Sequence, residues 1–286
     1  MDILRRRGPW RYSLSQLVNS NPSASLKFRA VPHSSVIPHK QLYTSPSIPQ
    51  YRSPSYCDPS TQDLILSELE RHRHSKWGWV SYRTTYTPYS NPNWEHFKHL
   101  INCESRDFLL DSYGPDPNIN KKADEALEWT FISDPSTLDG ATIPELRTRF
   151  KDWTKVNFSL ENPHATHSLQ DHLNPRCAAM TPRYRFFIQV DEASLRSVIE
   201  APRPDHCHTG EVNFVDAYWE PLPEDRTANE QWVDQGLEAI DGCTQEDVGW
   251  MKIASWMLSP DFYARIGDEE DWWRNYVRPP ETCYVF

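Results

Sequence analysis

The chain has 286 residues, 24% of them charged and 13% aromatic with twelve Trp, enough to bury a sizeable core built on aromatic side chains. Its net charge of −10 is divided unevenly: residues 1–57 carry eight Lys or Arg against Asp2 alone, a balance of +7, which leaves −17 on the rest. An acidic body argues against a nucleic-acid binder, whose footprint is basic, and no stretch reaches the roughly 18–20 apolar residues that span a bilayer.

Residues 1–58 read as a disordered, basic, Ser/Pro-rich leader, and residues 59–286 as one α+β domain. Gly8-Pro9-Trp10 follows Arg5–Arg7 directly, so the apolar segment of a secretory signal is missing. The Arg- and Ser-rich composition is similar to a mitochondrial presequence. Seven prolines from Pro9 to Pro54, however, leave room for an amphipathic helix only at Leu14–Val18. The cytoplasm is the expected compartment and the mitochondrion the alternative. Six cysteines without a CxxC pair are expected to be reduced thiols.

The body opens with a helix over Thr61–Arg73, with Leu64, Ile65 and Leu69 on one face and His72 and His74 at its end. Trp77–Tyr86 alternates as a strand, placing Trp77, Trp79, Ser81 and Arg83 on one face and Val80, Tyr82 and Tyr86 on the other. Neither face is purely apolar, which predicts a core on one side and a partly wet groove on the other. Asn93 caps a helix to about Glu104, and Leu127–Ile132 forms the second strand. Thr142-Ile-Pro-Glu145 is a capping box opening a helix to about Val156, and 157–182 reads as a long loop.

In the second half, Arg183–Val190 is a strand with Tyr184, Phe186, Ile188 and Val190 inward, and Asp191 caps a helix to Glu200. Strands follow at Glu211–Trp219 and Val248–Met257, on either side of an acidic loop. A short helix starts at Ser259-Pro-Asp, and a last extended piece lies between Trp272 and Phe286. The order from residue 183, β-α-β-β-α-β, predicts a ferredoxin-like split βαβ, packed on a related first half as a barrel or sandwich.

Much standard chemistry is missing. With nine Gly there is no GxGxxG, no GxxxxGK[ST] and no GxSxG, so no nucleotide loop or nucleophile elbow is read. His164-x-x-His167-x4-His172 and His206-Cys-His208 are two candidate metal-ligand clusters, and Asp268-Glu-Glu-Asp271 is read as a solvated charge run. Neither histidine cluster matches a zinc module, so no metal or cofactor is expected and the histidines are read as solvated loop residues. Asp216 interrupts the strand Val212-Asn-Phe-Val-Asp-Ala-Tyr-Trp219; facing inward, its carboxyl would be pushed up toward the range of a general acid. Arg83, Arg185 and Lys252 lie mid-strand among aromatics and, with Arg274 and Arg278, could grip a carboxylate or phosphate. The alternative is an outer sheet face where long cationic side chains lie over aromatic rings.

Several stretches, "WGWVSYR" (77–83), "LEWTFISD" (127–134), "RYRFFIQVDEASLRSV" (183–198), "VNFVDAYW" (212–219), "GCTQEDVGWMK" (242–252) and "YVRPPE" (276–281), resemble a family of uncharacterised proteins of filamentous ascomycete fungi. The resemblance implies a fungal source and a single domain, and carries no activity or site residue.

Two functions of different class follow. The first is a small-molecule- or partner-binding module using an aromatic and arginine-lined sheet face, with Trp79, Arg83, Arg185 and Arg274 as ligand contacts. The second is a cofactor-free biosynthetic enzyme of fungal secondary metabolism, an isomerase, cyclase or condensing enzyme, in which Asp216 and Lys252 carry the acid and base steps.

Overall fold

The computed structural model describes residues 59–111, 117–173, 181–201, 210–222, 237–267 and 269–284, all within the compact unit Tyr56–Phe286. The leader read from the sequence lies outside the described residues.

Local signals set most helix starts. In α1 (Thr61–His72) the Ser60 hydroxyl accepts from the Asp63 amide, the Asp63 carboxylate accepts from the Ser60 amide, and Arg73 ends the helix in the left-handed region at φ 54°. After β1 (Val80–Arg83), α2 (Ser90–Asp111) begins before Asn93, because the Thr87 hydroxyl already accepts the Ser90 amide at 3.0 Å. It also outlasts Glu104, since Leu109 continues the buried row of Trp94, Phe97 and Ile101. There follow α3 (Pro117–Ala126), β2 (Thr130–Ile132) and the single turn α4 (Pro135–Leu138) capped by Asp134. The predicted capping box opens α5 (Ile143–Glu161), which runs past Val156 because Leu146, Phe150, Thr154 and Phe158 extend one buried i,i+4 stripe. The supposed loop therefore starts later and contains a further turn, α6 (Leu169–His172).

The second half comprises β3 (Phe186–Val190), α7 (Glu192–Glu200), β4 (Glu211–Asp216), β5 (Trp250–Ala254), α8 (Pro260–Arg265), α9 (Glu269–Asn275) and β6 (Thr282–Cys283). Asp191 caps α7 as expected, accepting the Ser194 amide at 2.7 Å. The run beginning at Trp272 is not extended at first. Tyr276 donates its amide to the Trp272 carbonyl at 2.8 Å, a helical link, and among the described residues of this run only Thr282–Cys283 is strand.

The protein is α+β, with a mixed six-stranded sheet in the order β2-β1-β3-β4-β5-β6. β2, β1 and β3 are parallel, β4 and β5 antiparallel to their predecessors, and β6 parallel to β5. This corrects the ferredoxin-like expectation. β3 and β4 are direct antiparallel neighbours despite the intervening α7, and β5 and β6 are direct parallel neighbours. No strand is inserted between the members of either pair. The two halves do not face each other as a sandwich either. Pairing of β1 with β3, from Val80↔Phe187 to Arg83↔Val190, joins them edge to edge into one sheet.

Helices cover both faces. The larger core packs α1, α2, α3, α7, α8 and α9 against Trp77, Trp79, Phe186, Ile188, Val190, Val212, Phe214, Met251 and Ile253. The smaller packs α4 and α5 against Val80, Tyr82, Phe187 and Val215. Every residue of β1 and β3 is buried, as parallel strands covered on both sides require, so the predicted wet groove beside β1 does not exist. Gly78 permits the close approach of the two N-terminal edges: at φ +118° a Cβ there would lie 2.4 Å from the Glu128 carbonyl oxygen. No helix among the described residues is long and apolar enough to cross a membrane.

Candidate functional site

On the larger-core side, the segment that leads into β1 and its first residues send Trp77, Trp79 and Ser81 into an aromatic layer. Trp79 meets Tyr263 at a centroid distance of 5.0 Å, Phe214 at 5.3 Å edge-on and Phe262 at 6.0 Å. Phe214 stacks on Phe186 at 5.0 Å, and Phe186 on Trp272 at 5.7 Å. Such contacts contribute about 0.5–1.5 kcal/mol per pair beyond area burial.

Polar atoms in this layer are treated unequally. Trp77 donates its indole N–H to the Ala123 carbonyl at 2.8 Å, and Trp272 donates to Asp247 at 3.1 Å. The Trp79 Nε1, the Ser81 Oγ and the Tyr263 hydroxyl, all buried, find no hydrogen-bond partner among the described residues. Burial pushes the Tyr263 hydroxyl well above its ordinary pKa, with the Arg183 and Gly78 amides and the Arg183 charge opposing this from beyond hydrogen-bonding geometry. Trp79 and Ser81 are neighbours on one strand face, and Tyr263 closes over Trp79 from α8. Other orphan atoms, on Gln62, Asn120, Trp129, Trp250 and Ser255, come from separate elements. A buried polar group without a partner costs about 1–3 kcal/mol, which native proteins ordinarily relieve with a neighbour, a water or a ligand.

Two polar clusters line the edge of the sheet where β1 and β3 begin. In the first, the fully buried Arg183 grips Glu161 through two hydrogen bonds of 2.9 Å each. It also donates to the Glu128 carbonyl and the Thr130 hydroxyl, both at 2.9 Å. Tyr184 donates to the same Glu161 at 2.6 Å, and Asn162 to the Tyr184 oxygen at 2.6 Å. Burial alone would raise the Glu161 carboxyl; Arg183 and Tyr184 hold it below the ordinary range.

In the second, Asp216 pairs with Arg185 at 2.7 Å and accepts the Tyr218 amide at 2.9 Å. Arg147 donates to the carbonyls of Asp216, Val248 and Gly249 and lies over the Trp219 ring. Gly249 is obligatory here, since at φ +73° a Cβ would come within 2.3 Å of Trp219. Beside this pair Asp247 accepts the Gly249 amide at 2.7 Å as well as the Trp272 indole. Burial pushes its carboxyl up to about 6, the Gly249 and Trp272 donors restraining the rise.

The predicted site residues are not brought together. Trp79 lies in the aromatic layer. Arg83 is buried at the opposite end of β1, committed to the Thr85 carbonyl, Ser90 and Asn91 and packed on Tyr86 and Trp94. Arg83 stands opposite Val190, five residues beyond Arg185 along the strand direction, about 16 Å at the usual rise. Arg274 is an exposed α9 residue paired with Glu270 and Asp271. Lys252 pairs with Glu211 and sits opposite Asn213, on the other sheet face from Asp216 and three residues away, so the proposed acid–base pair is not formed. The sheet face that these arginines were expected to line is covered by helices.

Of the histidines, His164 is exposed and the His167 ring packs 5.8 Å from His72, itself 5.8 Å from His74. His206 and His208 lie outside the described residues. Among the described residues no group of three or more His, Cys, Asp or Glu is arranged to hold a metal ion. Sequence reasoning missed Tyr263 and Asp247. Tyr263 carries no signal beyond its place in a short helix, and Asp247 sits beside Glu246 in a run that reads as an acidic loop. Comparison with protein-family models, curated proteins and solved structures finds no match to this chain.

Proposed function

We propose that the protein is a small-molecule-binding module whose ligand is held in the aromatic layer by Trp79, Ser81 and Tyr263. The observation behind this is the set of three buried polar atoms, contributed by one strand face and the helix over it, that have no partner among the described residues. Ligand sites combine apolar, aromatic walls with a few placed polar groups, and this layer has that composition. The arginines expected to grip a ligand are all engaged elsewhere, which moves the binding surface from the sheet face into the layer beneath α8.

Native against denaturing mass spectrometry of the protein as purified tests this. A non-covalent mass that disappears in Ser81→Ala and Tyr263→Phe, with folding intact, is expected. A protein that retains the same mass in both variants assigns the ligand elsewhere.

A second reading, a cofactor-free enzyme, is favoured by the Asp247 carboxyl, held at about 6 and able to give up a proton near neutral pH. Trp272 separates it from Trp79 and Tyr263 through the Phe186 and Phe214 stack. Turnover of a ligand identified by mass, lost in Asp247→Asn, would favour catalysis over binding.

A further inference from the structure

The chemistry of the orphan atoms constrains what can occupy them. The Trp79 Nε1 is a donor only, and the Ser81 and Tyr263 hydroxyls each bring one more donor along with acceptor capacity. The rings around them, Trp77, Phe186, Phe214, Phe262 and Trp272, offer faces and edges, and the two further indole N–H groups are already bound, to Ala123 and to Asp247. Among the described residues the charged groups that reach this layer are engaged: the Asp247 carboxylate accepts the Trp272 indole and the Gly249 amide. Arg83, further along the same strand face, is committed to Thr85, Ser90 and Asn91. Arg183 and Glu161 act on the Tyr263 hydroxyl with opposite signs, and they are each other's partners. An ionised ligand would therefore be buried without a counter-charge, far costlier than burying a neutral polar group.

We infer that the ligand is an uncharged, planar, unsaturated molecule carrying a carbonyl-type acceptor that receives the Trp79 indole N–H. This rests on the binding reading above and deepens it by naming the ligand class. Aromatic walls favour a flat π-system, and the donor-rich polar set demands an acceptor. Trp79 and Ser81, two residues apart on one strand face, set the spacing over which a second polar atom would be read, about 7 Å.

Three molecules of one shape separate the terms: 2-acetylnaphthalene, neutral with a carbonyl acceptor; 2-ethylnaphthalene, neutral without one; and 2-naphthoate, an anion. Each is titrated into the full chain while the Trp79 indole N–H resonance, assigned with Trp79→Phe, and tryptophan fluorescence are followed. The ketone is expected to move the Trp79 signal and to bind at least about tenfold more tightly than the ethyl compound, with naphthoate weaker still. Equal affinity for the ketone and the ethyl compound removes the acceptor requirement. Naphthoate binding as tightly as the ketone removes the neutrality requirement; in either case binding in the layer itself stands. If no probe moves the signal, the ligand class is overturned. If in addition the Trp79 N–H shows magnetisation transfer from water, the orphan atoms hold internal water only and the binding reading falls with it.

Discussion

Two buried polar regions lie close together at the start of β1 and β3, and they are built on opposite principles. Around Arg183, every strong group is answered: the guanidinium by Glu161, Glu128 and Thr130, the carboxylate by Arg183 and Tyr184, and Tyr184 in turn by Asn162. Across the sheet edge, Trp79, Ser81 and Tyr263 are buried as deeply and answered by nothing in the described protein. The first arrangement is what a scaffold needs, since a buried ion pair is tolerated only when its remaining hydrogen-bonding capacity is satisfied. The second leaves a buried polar cost uncompensated among the described residues, and it is there that the proposed ligand would bind.

This contrast can be broken at several points. The largest effect is expected from Arg183→Met, which strands Glu161 and Tyr184 and should cost about 3–5 kcal/mol in urea unfolding. Adding Glu161→Leu should restore much of the loss. A single variant of near wild-type stability would show that the network is not holding the fold.

Next comes Asp247. With its folded carboxyl at about 6 against an unfolded value near 3.8, the native state keeps a proton that the unfolded chain has released. Stability should therefore fall as pH rises from about 4 through about 6, by roughly 3 kcal/mol in all, at 1.36 kcal/mol per unit. Asp247→Asn should remove that slope, and a wild-type and variant with parallel pH profiles would refute it.

His72 should contribute a smaller slope of opposite sign. Burial, Arg71 and His167 lower its pKa below 6.5 against the pull of Glu68. The unfolded chain therefore takes up the proton first, and this stability is lost as pH falls below 6.5. His72→Gln should flatten the profile there.

The smallest effect is the most informative. Tyr263→Phe removes an unanswered hydroxyl and should leave the ligand-free protein within about 1 kcal/mol of wild type, neutral or slightly more stable. A loss well above that would mean the hydroxyl has a structural partner, and the contrast between the two regions would collapse.

Helix positions were largely legible because their signals are local. Ser60 with Asp63, Thr142 with Glu145 and Asp191 before Ser194 each cap the helix that their spacing announces. Helix ends were less legible: α5 outruns Val156 because Thr154, a polar residue, holds a place in its buried stripe. The face of Trp77–Tyr86 was assigned correctly, with Trp79 and Ser81 side by side. Whether that face was wet depended on α8, some 180 residues further along the chain.

The arginines were the weakest point. Sequence places Arg83, Arg185 and Lys252 in strands, but Arg185 lies just before β3 at the end of a short helical turn, and the register of β1 on β3 and of β4 on β5 sets Arg83 and Lys252 at other ends and faces. By itself the sequence determined an aromatic, α+β body with its helices and strands nearly in place, because caps, periodicity and burial preference act over a few residues. Only the tertiary structure decided strand order, the burial of Asp247, and which indole and hydroxyl groups were left without a partner. Each of these depends on what a distant segment brings within about 3 Å, and hydrogen bonding is decided at that distance.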